Sequence, residues 1–191
     1  AFALNTPIEG GSIANLGFGT ANAKYVTLSF LVYSSLTGTF SGSLFNSAFN
    51  RSYPFTYSVG SANTWTKIVV AIPGDTSGTW LTTTGTGLTV NFDIGSGSNW
   101  KGSANAWGAA AYTGVASSVS IVGTSGATFY VTGVQLEVGE YDATTIPPFQ
   151  HESFGDSLKR CERYFCKSYN YGIAPGTNVS SDVNAKRGAV F

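Results

Sequence analysis

The sequence predicts an all-β fold: an antiparallel β-sandwich of jelly-roll type, followed by a short helix and a C-terminal extension. Three observations carry this. Apolar residues recur at every second position in about eight short stretches bounded by turn residues, the pattern of strands in a two-layer sandwich. No stretch before Glu152 shows a helical period. The third is Thr128–Val138, TFYVTGVQLEV, the longest run that reads as a central strand. Its apolar set moves from the odd positions Phe129 and Val131 to the even positions Val134, Leu136 and Val138. Side chains alternate faces strictly along a strand, so this change of phase predicts a β-bulge at Gly133. Gln135 and Glu137 then share one face.

Taken in order, Ala1–Gly19 reads as an edge segment plus loop. In KYVTLSFLVYS, Val26, Leu28, Phe30 and Val32 alternate, with Leu31 and Tyr33 opposite; two partly apolar faces mark a central strand. GTFSGSLFN aligns Phe40, Gly42 and Leu44, and SYPFTYSV aligns Tyr53, Phe55, Tyr57 and Val59. Pro54 has no N–H for a ladder, which assigns its strand to an edge or bulge. WTKIVVAIP aligns Ile68, Val70 and Ile72 and stops at the turn Pro73-Gly74-Asp75, with Trp65 expected in the core. GLTVNFDI reads as a half-buried strand, with Leu88, Val90, Phe92 and Ile94 inward and Thr89, Asn91 and Asp93 facing solvent. From Gly95 to Ala116 the period disappears, the mark of a functional loop or an excursion with short structure of its own. Ser117–Val122 is a candidate short strand.

Beyond Val138 the grammar changes. Ile146-Pro147-Pro148-Phe149 is an extended segment stiffened by two prolines. Ser153 can cap a helix with Asp156 three residues on, in the manner of a capping box. Phe154, Leu158, Cys161 and Phe165 recur at helical spacing, and Asp156 can pair with Arg160. The expected organisation is a sandwich over 1–140, a Pro-containing linker with the short helix over 141–167, and a C-terminal arm or the start of a further β unit over 168–191.

Composition narrows the function. The chain has 191 residues, of which 10% are charged and 14% aromatic, with 24 glycines and a net charge of zero. Aromatic and β-branched residues in this number separate it from a disordered polar chain, so the surface is hydroxyl-rich rather than charged. No basic cluster exceeds Lys159-Arg160 with Arg163, which argues against nucleic acid as a partner. No apolar run approaches the roughly 20 residues that cross a bilayer. The lack of an initiating Met suggests a fragment or processed product. Cys161 and Cys166 turn by about 500° relative to each other on a helix, which disfavours a disulfide and leaves two buried free thiols, as expected of folding in a reducing cytoplasm.

Catalytic constellations are weak. The single histidine, His151, has no nucleophile motif around it, and Asp75 and Asp93 stand apart rather than as the facing carboxylates of a glycosidase. The expectation is therefore no enzyme and no cofactor. One exception is a possible structural calcium held by Glu9 and Glu137, carboxylates on the first and last strands, although no Asp-rich loop accompanies them. The aromatics are the stronger signal. Trp80, Trp100, Trp107 and Tyr112 lie among Gly, Ser, Asn and Thr rather than at strand-period positions. Rings exposed among small hydroxyl and amide groups suit the apolar face of a sugar. The competing assignment is that they fold back onto the core, as large aromatics usually do.

The runs YVTLSFLVYSSLTGTFSGSLFNSAFNRSYPFTYSV, NTWTKIVVAIPGDTSGTW and GATFYVTGVQLEVGEYDATTIPPFQHESFGDSLKRCERYF resemble a module recurrent in tail-fibre and related structural proteins of tailed bacteriophages. The resemblance extends from about Ile8 to Phe165. FYVTGVQLEVG, PGDTSGTW and PPFQHESFGDSLKRCERYF are its most specific parts, and the chain departs from the usual pattern at Gln150 and Glu152. The resemblance implies a carbohydrate-binding type of jelly roll in a virion assembled in the host cytoplasm. Its partners would be other virion proteins and host-surface carbohydrate, in a homo-oligomer with a trimer preferred. Two alternatives remain open: a capsid-decoration or tail-joining protein that binds no sugar, and a carbohydrate-binding module of an extracellular glycan-active enzyme.

Overall fold

The computed structural model describes residues 1–165; Cys166 and the expected arm over 168–191 lie outside the described residues. The chain divides into two compact units at Phe149/Gln150. The first is an all-β antiparallel sandwich. Its strands are β1 (Ala3–Glu9), β2 (Val26–Ser34), β3 (Gly38–Asn46), β4 (Ser52–Val59), β5 (Thr66–Ile72), β6 (Thr86–Asp93) and β9 (Phe129–Val138), with the two-residue strands β7 (Lys101–Gly102) and β8 (Gly114–Val115) between them. A single helical turn, α1 (Gly10–Ile13), follows β1.

One sheet has the order β1-β6-β3-β4 and the other β5-β2-β9. Apart from the β3–β4 hairpin, successive long strands alternate between the two sheets, as in a jelly roll. Between the layers lie the alternate residues read from the sequence: Val26, Leu28, Phe30 and Val32 of β2, Phe40 and Leu44 of β3, Phe55 and Val59 of β4, Ile72 of β5, and Leu88, Val90 and Phe92 of β6, all essentially without solvent contact. Pro54 sits on β4, an edge strand, where its missing N–H interrupts no inner ladder. Tyr57 also points into this core, and its hydroxyl finds no hydrogen-bond partner. Burial first, and then the negative charge of Asp93, hold that phenol well above its ordinary pKa.

The bulge forms where the apolar phase changes. Ser29 faces Gln135 and Leu31 faces Thr132, so Gly133 and Val134 together oppose Phe30, and Gly133 takes a φ of 58°. A glycine adopts that conformation without a Cβ penalty. β9 is not a central strand, however. It is the edge of its sheet, which is why Val134 and Val138 remain more than a third exposed. The exit segment turns back on the same unit: Gly139 donates to Tyr25 O, Tyr141 N to Thr27 Oγ1, and Gln135 Nε2 to both Glu137 and Pro147 O. Residues 141–149, read from the sequence as linker, thus belong to the first unit.

The outer face of the four-stranded sheet is the largest departure from expectation. Register places Ser41 beside Asp93, Ser43 beside Asn91, and Phe45 beside Thr89. These polar residues of β6 were expected to face water, yet Thr89, Asn91 and Asp93 are all buried. The unpatterned excursion after Asp93 lies over Asn91 and Asp93 as a third layer. Asn91 Nδ2 donates to Thr113 O, Val115 N to Ser41 Oγ, Val119 N to Thr39 O, and Gly108 N to Ser52 O. Ser117–Val122 forms turns rather than a strand, with Ile121 buried.

In the second unit α2 runs from Phe154 to Glu162, and Ser153 Oγ caps it by accepting Asp156 N. The expected Asp156–Arg160 pair is replaced by Arg160 with Glu152 at 2.7 Å, while Asp156 accepts the Ser153 hydroxyl. Cys161, expected to be buried, is exposed. Among the described residues no helix is long and apolar enough to cross a membrane.

Replacing Gly133 by Ala tests the bulge. The added Cβ has room, since its nearest neighbour is Leu31 Cδ1 at 3.8 Å, so the cost is conformational. Denaturant unfolding should show a loss of about 1 kcal/mol, whereas a regular strand at this position would be stabilised or unaffected.

Candidate functional site

The four aromatics singled out from the sequence do not converge. Trp80 is 7% exposed and packs edge-on against Phe18 at 4.9 Å and Trp107 at 5.5 Å. Trp107 also meets Tyr53 at 5.2 Å. Both indoles have satisfied N–H groups, Trp80 on Ser77 O and Trp107 on Pro73 O. Trp80 thus belongs to the core, and Trp107, half-buried, packs against it. Tyr112 is half-buried and rests on Gly102 and Gly108, where a Cβ would approach its ring to 2.5 and 2.9 Å. Trp100, in the 3-10 turn Ser98–Trp100, is 43% exposed and is the open ring of the four.

A different aromatic group is assembled on the outer face of the three-stranded sheet. Tyr33 and Tyr130 are cross-strand partners, and because Val32 pairs with Thr66, Trp65 falls next to Tyr33. Directly opposed residues share a face, so the three rings meet. Tyr33 lies 5.5 Å from Trp65 and 5.7 Å from Tyr130, centroid to centroid. Trp65, expected in the core, is 48% exposed and Tyr130 is 54% exposed. With Thr128 they line an open concavity of about 450 Å³ that carries no ionisable group other than the two phenols. Alternation alone placed Tyr33 outward. The signal that would have found the group is register, which a single strand does not encode.

Two buried ion pairs stand apart from these rings. Asp75 is gripped by Arg51 through two hydrogen bonds of 2.6 and 2.7 Å and also accepts Ser77 N. Asp93, 1% exposed, accepts Gly95 N, Ser96 N and Ser96 Oγ on one oxygen, and Lys101 Nζ, Ser41 Oγ and Ser118 Oγ on the other. Burial pushes its pKa up, but the Lys101 ammonium and the Ser96 and Gly95 donors outweigh burial and leave it below the usual carboxylate value. Gly114 seats the excursion against this cluster; a Cβ there would strike Asp93 Oδ2 and Ser41 Oγ. A perturbed carboxylate in a cleft is often catalytic. This one has every acceptor position filled and no room for a substrate, so its role is to fasten the third layer.

Among the described residues, Asp75 is bonded by Arg51 and Ser77, and Asp93 by Lys101, Gly95 and three serines. Glu9 ends β1 in one sheet, and Glu137 lies on β9 in the other, accepting Gln135 Nε2. No group of three or more His, Cys, Asp or Glu side chains is brought together among the described residues. His151 is exposed in the second unit. Comparison with models of protein families, with curated proteins and with solved structures found no match.

Removing the fastener has a pH signature. Asp93→Ala leaves Lys101 largely buried and uncompensated, and should cost about 3–5 kcal/mol at pH 7 by urea unfolding. Because the folded pKa lies below the unfolded one, the carboxylate's contribution is complete above the unfolded value and fades as pH falls through the folded value. The gap between wild type and variant should therefore narrow below about pH 4. A gap that is unchanged at pH 3 contradicts the assignment.

Proposed function

We propose that this chain is a non-enzymatic recognition module of a bacteriophage virion, of tail-fibre or receptor-binding type, that engages host-surface glycans through Tyr33, Trp65 and Tyr130. The observation that carries the reading is the exposure of these three rings together on the outer face of a rigid sheet. Sugars expose patches of C–H groups between hydroxyls, and an aromatic face covers such patches while neighbouring hydroxyls take up hydrogen bonds. Large aromatics held at a surface by strand register lose little side-chain entropy on binding. The charge-poor lining fits a neutral or weakly polar ligand and argues against phosphate or nucleic acid.

The virion setting rests on the resemblance of the sequence to phage tail-fibre modules, and assembly as a homo-oligomer belongs to the same proposal. Support for assembly comes from α2, whose Phe154 is 83% exposed and whose flanking Phe165 is 67% exposed. Large apolar side chains left in water in this way are a feature of surfaces completed by another chain. The same observation favours the alternative of capsid decoration or tail joining, in which protein contacts alone would be made.

Printed glycan arrays probed with the whole chain separate the two. The proposal expects a defined set of bound glycans, weakened about 10–30-fold by Trp65→Ala, with the thermal midpoint little changed because the ring is half in water. Trp100→Ala, on the excursion over the opposite sheet, should leave binding unchanged. An array with no bound glycan would favour the assembly-only reading, and equal binding by Trp65→Ala would overturn the assignment to these three rings.

A further inference from the structure

The third layer does not cover the whole outer face of the four-stranded sheet. It reaches the rows Ser41–Asp93 and Ser43–Asn91 through its hydrogen bonds and stops short of the next row, in which Phe45 pairs with Thr89 and Thr89 with Pro7. That row floors a groove of about 290 Å³, walled by Asn5, Ser47 and Thr86 and by the ring of Phe49. The floor is dry, with Phe45 and Thr89 each 7% exposed, whereas Phe49 stands 61% exposed beside Phe45 at 5.3 Å.

Phe49 holds this position at a backbone cost. Its φ is 54°, in the left-handed region that bulky residues avoid and that Asn or Gly enters easily. The hairpin between β3 and β4 enforces it. Asn46, fully buried, accepts Asn50 N and Arg51 N on its side-chain oxygen and donates to Asn50 Oδ1 and Thr79 O, while its own carbonyl accepts Phe49 N. Strain retained by such an over-determined loop clusters at ligand sites.

The geometry points to a second binding site in this groove, for a single uncharged sugar ring stacked on Phe49 and hydrogen-bonded by Asn5, Ser47 and Thr86. Three features select that class. The volume fits one ring and little more. The lining offers hydroxyls and an amide and contains no ionisable side chain. An exposed aromatic ring, that of Phe49, lines the groove. This site lies on the opposite sheet from Tyr33, Trp65 and Tyr130 and stands whether or not those rings bind glycans.

The test is NMR titration of the whole chain with methyl glycosides of neutral hexoses and with glucuronic acid, following Thr89 and Ser47. At least one neutral glycoside should shift these signals in the millimolar range, the affinity expected of so small a ligand. Phe49→Asn should weaken that binding at least about tenfold while leaving the thermal midpoint equal or higher, since Asn suits the backbone. Trp65→Ala should not alter it, which separates failure here from failure of the other surface. The assignment is overturned if no neutral glycoside shifts Thr89, if glucuronic acid binds more tightly than the neutral sugars, or if Phe49→Asn binds as well as wild type. It is overturned equally if Phe49→Asn lowers the midpoint as a core substitution does, because the ring would then be a wedge that holds the hairpin.

Discussion

A polar sheet face can be covered only where each donor and acceptor beneath the cover is met, and in this chain that constraint centres on Asp93. An unpaired carboxylate in a dry interior is prohibitively costly, so the side chain at the end of β6 dictates what must surround it. Lys101, Ser96, Ser118 and Ser41 supply that surrounding, and three of the four come from the chain between β6 and β9. The residues that bury the carboxylate are thus the residues that neutralise it. Gly114 completes the fit by letting the backbone approach where a side chain could not.

This third layer decides which part of the four-stranded sheet stays open. It occupies two rows of the four-stranded sheet and leaves the third as a groove. On that side Trp107 is drawn into a pile with Phe18, Tyr53 and Trp80. On the opposite sheet the exit segment bonds to Thr27 and Gln135, while farther along the same face Trp65 and Tyr130 stay about half exposed beside Tyr33. A rigid two-sided scaffold with few surface charges suits contact with neutral, hydroxyl-rich ligands better than with ionic ones. Such contacts are individually weak and gain from repetition, so a fibre or other oligomer would multiply them.

Much of the sandwich was legible in the sequence, because alternation reports directly on which side chains face a core. β2 through β6 appear where the period places them, Pro54 marks an edge, and Gly133 marks the bulge. What was not legible shares one cause: a local pattern carries no information about distant partners. The polar residues Thr89, Asn91 and Asp93 look the same whether water or a loop lies over them, and β9 looks central because it is long. Trp65 read as core because it precedes an apolar strand, yet register sets it beside Tyr33 on the outer face. Trp80 and Trp107 read as loop residues, and their burial depends on Phe18 and Tyr53, far away in sequence. Phe49 gave no sequence signal, since only its backbone conformation sets it apart.

Native-state amide hydrogen exchange tests most directly that the excursion is a packed layer rather than an open loop. The amides of Gly108, Tyr112, Val115 and Val119 all donate to residues of the four-stranded sheet, at Ser52, Ser41 and Thr39. The account predicts that they exchange only through large openings, with protection close to that of the β6 amides. Exchange as fast as that of exposed Ser103 and Ala104, while β6 stays protected, would contradict it.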